Sequence, residues 1–120
     1  MKCIGNALVQ DRAEEGLRAD WQQQIRGIQK ILHFKYIRFH GLLNDDMHIY
    51  NEDADGNPIY NWQYLDKLYD FFLSVHIKPF VEISFMPLAL ASGAKTVFWY
   101  KATLRRQNPM RNGPVWLQQW

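Results

Sequence analysis

Apolar and polar positions along the chain alternate between two spacings. Residues Cys3 to Val9 form a short apolar run containing Gly5, read here as a buried strand. Trp21, Ile25, Ile28 and Leu32 then recur at steps of 4, 3 and 4, one face of an α-helix. The positions between them, among them Gln22, Gln23, Gln24, Arg26, Gln29 and Lys30, form its solvent face. Lys35 to Gly41 is rich in strand-forming residues. A polar stretch, Asn44 to Asn57, reads as a loop with a turn at Asp55-Gly56-Asn57-Pro58. A second helix begins near Asn61, a good N-cap, with Trp62, Leu65, Leu68, Tyr69 and Phe72 on its apolar face. Lys78 to Phe85 reads as a third strand, with Pro79 at its start, where a missing N–H is tolerated.

The first helix runs into His33-Phe34-Lys35 before a strand, and the second into His76-Ile77-Lys78 before a strand. Each histidine occupies the position just past a helix where glycine is usual, because the backbone there needs positive φ. The order strand, helix, strand, helix, strand predicts an α/β fold with a parallel sheet. Parallel sheets are buried on both faces. Three strands and two helices cannot cover both, so the pattern reads as part of something larger.

Composition narrows the class. The 120 residues are 48% hydrophobic and 22% charged, a globular profile of single-domain size. The lone cysteine, Cys3, excludes an intramolecular disulfide and a cysteine-rich zinc site; it reads as an inert thiol in a reducing compartment. No apolar leader and no membrane-length run is visible, so the expectation is a cytoplasmic chain without membrane partners. The net charge of +2 is unevenly placed: 11 Lys+Arg against 12 Asp+Glu up to residue 102, then three arginines and no acid. Three arginines are a thin footprint for nucleic acid, and no nucleic-acid partner is expected.

The run Tyr36-Ile37-Arg38-Phe39-His40-Gly41-Leu42-Leu43-Asn44-Asp45-Asp46-Met47 resembles glycoside hydrolase family 39. So does Lys78-Pro79-Phe80-Val81-Glu82-Ile83-Ser84-Phe85-Met86-Pro87. Tyr60-Asn61-Trp62, Leu90-Ala91-Ser92-Gly93 and Thr96-Val97-Phe98-Trp99-Tyr100 follow in the order that family has them. The resemblance covers roughly residues 3–102 and implies a retaining β-xylosidase built on a (β/α)₈ barrel. This chain would supply the first three βα units without the rest, since a whole barrel takes about 200–250 residues or more. The chemistry needs two carboxylates about 5–5.5 Å apart. In the family these are the Glu of an Asn-Glu-Pro on strand four and a Glu on strand seven, and neither strand is here. Asn51-Glu52 is followed by Asp53 and is not that motif. The resemblance thus implies a fragment of a glycosidase, inactive alone, needing no cofactor. The alternative is a non-catalytic binding or self-assembling half-barrel.

By the same resemblance, His40 would hydrogen-bond the sugar of a xylo-oligosaccharide and Phe85 would wall the pocket. Arg38 and Glu82, further back on the same strands, would form a buried polar layer facing the barrel interior. Asp45, Asp46 and His48 have ligand chemistry, but no further ligands at defined spacing, so no metal is expected. Trp62, Phe71, Phe72, Phe98, Trp99 and Tyr100 read as packing or as a sugar-stacking platform, some of it for strands not present. Exposed apolar area of that kind predicts self-association. His33 and His76 read as helix terminators. Residues 103–120 depart from the family. A codon choice exists for Thr103 to Trp120 that, read one base earlier, gives Asn-Ala-Ala-Pro-Pro-Lys, then Lys-Trp and an alanine-rich stretch. The tail is therefore expected to be a frameshifted reading.

Overall fold

The computed structural model describes residues 2–4, 6–91, 95–99 and 101–103. In chain order the elements are β1 (Lys2–Ile4), β2 (Ala7–Arg12), α1 (Ala19–Leu32), β3 (Tyr36–His40), β4 (Tyr50–Glu52), β5 (Pro58–Tyr60), α2 (Gln63–Ser74), β6 (Lys78–Val81), β7 (Thr96–Val97) and β8 (Ala102–Thr103). The central sheet has the order β1-β2-β3-β6. β2, β3 and β6 are parallel, with Val9 opposite Arg38 and Arg38 opposite Phe80. The expected alternation of strands and helices around a parallel ladder is present.

Three expectations are corrected. The first strand is not one run from Cys3 to Val9. It is a hairpin in which β1 lies antiparallel on β2, and the core strand continues to Arg12. Ile4 pairs with Ala7 at the closed end of the hairpin. The third strand stops at Val81 rather than Phe85. Its last partner is Phe39, β3 ends one residue later, and β6 is the edge of the sheet, so nothing extends the ladder. Thirdly, Asn61 is not the N-cap of α2. It sits one residue earlier, and its Oδ1 accepts the Gln63 N–H at 3.0 Å. The loop Asn44 to Asn57 also holds structure the sequence reading lacked: a 3₁₀ turn over Asp45–Met47 and strand β4, which pairs antiparallel with β5. The expected turn closes that hairpin. Gly56 has φ +83°, and Asp53 accepts the backbone N–H groups of Asp55 and Asn57 at 2.9 and 2.8 Å. Those bonds hold the Asp53 carboxyl below its ordinary range, the Asn57 side chain and backbone being the largest causes.

Strand alternation sorts the side chains. Leu8, Ile37 and Phe39 point to the helices and are at most 1% exposed. Trp21 and Ile25 of α1 and Leu68, Phe71 and Phe72 of α2 meet them. Trp21 lies edge-on to Phe71 at 5.8 Å, and Phe39 packs on Phe72 at 5.6 Å. Each such buried side chain contributes about 1.5–3 kcal/mol. The α1 stripe fails at its end: Leu32 is 57% exposed, because the last turn projects past this core. Trp62 also leaves the expected stripe. It precedes α2, stays half exposed and stacks on Tyr60. The opposite face of the sheet, carrying Val9, Tyr36, Arg38 and Phe80, is an open trough of about 520 Å³.

Both histidine expectations hold. His33 has φ 49° and its N–H donates to the Gln29 carbonyl, a left-handed helix end. His76 has φ 58°, with Ile77 N–H to Phe72 O and His76 N–H to Leu73 O, the paired bonds of a Schellman end. Among the described residues no helix is long and apolar enough to cross a membrane. Strand β8 includes Thr103; the rest of the expected frameshifted tail, residues 104–120, lies outside the described residues, as does Tyr100.

Two glycines test the packing in opposite directions. A Cβ on Gly16 would strike the Leu68 side chain in the core, whereas one on Gly27, on exposed α1 surface, meets nothing within 4 Å. Gly16→Ala should lower unfolding free energy by about 1–3 kcal/mol. Gly27→Ala should raise it by about 0.5–1 kcal/mol. Urea unfolding followed by circular dichroism measures both.

Candidate functional site

The C-terminal ends of the three parallel strands converge on one cluster. β3 ends in His40, held between two phenylalanines that follow β6. Its ring is stacked with Phe98 at 5.8 Å and 25°, and edge-on to Phe85 at 5.7 Å. Phe85 and Phe98 meet each other edge-on at 5.8 Å. From β2, Asp11 Oδ1 lies 3.4 Å from His40 Nε2. The result is an aromatic wall with an imidazole and a carboxylate set into it.

Backbone geometry fixes how that wall stands. Gly41 follows His40 with φ +75°, and its N–H donates to Ser84 Oγ at 3.2 Å. Leu43 N–H donates to the Ser84 carbonyl at 3.0 Å. Ser84 thereby ties the segment after β3 to the segment after β6, and the Ser84–Phe85 peptide is cis. Asp45 Oδ1 accepts the Leu88 N–H at 3.1 Å, a second tie between the same segments.

Arg12, at the end of β2, joins three loops. Its Nη1 donates to Asp46 Oδ2 at 3.0 Å and its Nη2 to Glu14 Oε2 at 2.6 Å. Its guanidinium lies 4.9 Å from the centre of the Trp99 ring. The arginine side chain is 14% exposed, so these charge-assisted bonds are poorly screened. The sequence reading passed over Arg12, Asp11 and Ser84. The available signal is position: Asp11 and Arg12 sit at the end of a parallel strand that runs three residues past Val9.

The expected site residues divide. His40 and Phe85 are brought into ring contact. Arg38 and Glu82 pair at 2.6 Å across β3 and the segment after β6. They lie on the open sheet face, with 47% and 33% of their side chains exposed, so the layer is formed but not buried. Phe98 belongs to the wall and Trp99 to the Arg12 cluster, while Phe71 and Phe72 are core. Asp45 and Asp46 are engaged by Leu88 and Arg12, and His48 packs edge-on to Tyr64 at 5.9 Å. Glu52, of the rejected Asn-Glu pair, accepts the Tyr50 hydroxyl within the hairpin.

The sequence profile described as Glycosyl hydrolases family 39 matches residues 1–116. The chain is 46% identical over 103 residues to a β-xylosidase of Caldicellulosiruptor saccharolyticus and 40% identical over 105 residues to one of Geobacillus stearothermophilus. These alignments cover 86% and 85% of this chain but 20% of each relative, so the chain spans about a fifth of their length. Among solved structures, a GH39 enzyme of Xanthomonas axonopodis pv. citri superposes with TM-score 0.81 and 33% identity, over 94% of this chain and 21% of that one. A GH39 β-xylosidase of Caulobacter crescentus superposes with TM-score 0.75 and 34% identity, over 81% of this chain and 22% of that one.

The Arg12 junction makes a measurable demand. Arg12→Met would leave the Asp46 and Glu14 carboxylates without their cation in a partly buried setting. Stability should fall by about 1–3 kcal/mol, and Arg12→Lys should recover only part of it. Thermal unfolding measures the loss.

Proposed function

The chain belongs to glycosyl hydrolase family 39, and we propose that it is the opening segment of a retaining xylan 1,4-β-xylosidase. In this reading β2, β3 and β6 are the first three strands of a (β/α)₈ barrel, with α1 and α2 on its outside. The observation that carries it is the convergence of His40, Phe85 and Phe98 at the C-terminal ends of parallel strands, where such barrels hold their substrates. The row Tyr36, Arg38 and Phe80 would face the barrel interior. His40 would hydrogen-bond a xylose hydroxyl at the end of a xylo-oligosaccharide, and Phe85 and Phe98 would press on its C–H faces. Asp11 would hold His40 in place from the side. Arg38 and Glu82 would support this layer from below.

Retaining hydrolysis needs one carboxyl group as acid/base and a second as nucleophile. The carboxylates around this wall already serve Arg12, Arg38, His40 or a backbone N–H. In this reading the chain alone would line part of a sugar site, while the Glu of an Asn-Glu-Pro and the strand-seven Glu that the family uses are not among its residues. Purified chain incubated with an aryl β-xyloside should release no phenol above a protein-free blank; release proportional to chain concentration would sink this reading.

A second reading, a self-assembling half-barrel, is favoured by the bare sheet face and edge. Phe80 and Val81 on the edge strand and Ile83 just past it are 59%, 43% and 53% exposed. Size-exclusion chromatography should show association that rises with concentration and is reversed by Phe80→Lys. A single monomeric peak across concentrations would remove this reading.

A further inference from the structure

At the other end of the strands from His40, the two helices finish around a groove of about 570 Å³. Arg26, Lys30, His33, Lys35 and His76 line it, and no carboxylate does. The arginines elsewhere in the described structure are matched by acids: Arg12, Arg18 and Arg38 each bind one. Arg26, Lys30 and Lys35 form no ion pair among the described residues. The Arg26 guanidinium lies over the Phe71 ring at 4.9 Å, beside the groove that Arg26 lines.

Basic residues often gather at helix ends because unpaired carbonyls point there. Here the carbonyls just past the two helix ends are served by another side chain. Gln29 Nε2 donates to Phe34 O at 2.9 Å and to Val75 O at 3.1 Å, and its Oε1 accepts the Phe34 N–H at 2.8 Å. One amide thus joins both helix ends into a fixed floor. The cations around it are not used in capping. Both histidines stand in left-handed positions that glycine would fill without strain, and both line the same groove. Their imidazoles add donors where a glycine would leave none.

We propose that this groove binds a small oxyanion-bearing molecule, with a phosphate group as its charged part. The volume suits a small ligand. Arg and Lys supply charge-assisted donors, and the Gln29 floor holds the helix ends that carry them. The site lies at the opposite end of the sheet from the sugar-facing wall and does not depend on the xylosidase reading.

The test is a titration of the isotope-labelled 120-residue chain with sodium phosphate at constant ionic strength, followed by amide NMR. Parallel arms use sodium chloride and sodium acetate. Saturating shifts centred on Gln29, Lys30, Phe34, Lys35 and Val75 are expected with phosphate only. Substituting Lys30→Gln together with Lys35→Gln should weaken binding about tenfold or more, since two charged donors are lost. Phe80→Lys, on the far face of the sheet, keeps the chain apart for the titration if it associates. Shifts spread equally over Arg18 and Lys67 would overturn the proposal, as would an equal response to acetate. So would a double variant that melts earlier yet binds phosphate unchanged, because its lysines would then serve only the helix ends.

Discussion

A parallel ladder is normally covered on both faces, and the described residues cover one. That constraint organises everything else in the structure. Leu8, Ile37 and Phe39 find their partners in α1 and α2 and are sealed from water. One register step away, Tyr36, Arg38 and Phe80 line the open trough. Because alternation has period two, the same strands that build a tight core must present an equally long row to the other side. The Arg38–Glu82 pair shows how that row behaves in the open. It is close and well aligned, yet solvent reaches both partners, so it contributes little to stability in this setting. Under cover the same pair would cost more desolvation and demand stricter geometry.

The ends of the ladder depend on the same arrangement. Parallel strands deliver their C-termini to one side, so the segments that follow β2, β3 and β6 meet there without further instruction. Two kinds of contact then fix them. Ser84 and Asp45 hold backbone to backbone between the segments after β3 and β6. Arg12 adds the segment after β2, through two carboxylates and an indole. The aromatic wall around His40 rests on those ties.

Much of this was legible from the residues. The 3.6-residue spacing located both helices, and the paired His33 and His76 marked their ends through a backbone requirement that glycine usually meets. The parallel sheet followed from alternation, and the family motifs put His40 and Phe85 at the ends of neighbouring strands. The misreadings share a cause. Strand limits depend on partners: β2 extends to Arg12 because β3 lies beside it, and β6 stops at Val81 because β3 ends one residue later. The β4–β5 hairpin was hidden because its strands are three residues each, too short for a period to show. Ending β2 at Val9 removed Asp11 and Arg12 from view, and with them the charged half of the site.

Wall and reagent are separable in such a fold. A barrel distributes its working residues over the ends of many strands, so any three consecutive strands hold a sector of the pocket. In the proposed barrel this sector would meet a sugar with two phenyl rings, an imidazole and a carboxylate beside it. Its acids are engaged as ties. Asp46 and Glu14 hold Arg12, Asp45 holds Leu88, and Glu82 holds Arg38. In the proposed barrel, recognition and rigidity would be concentrated in this sector, and the bond-breaking carboxyls would sit on other strands.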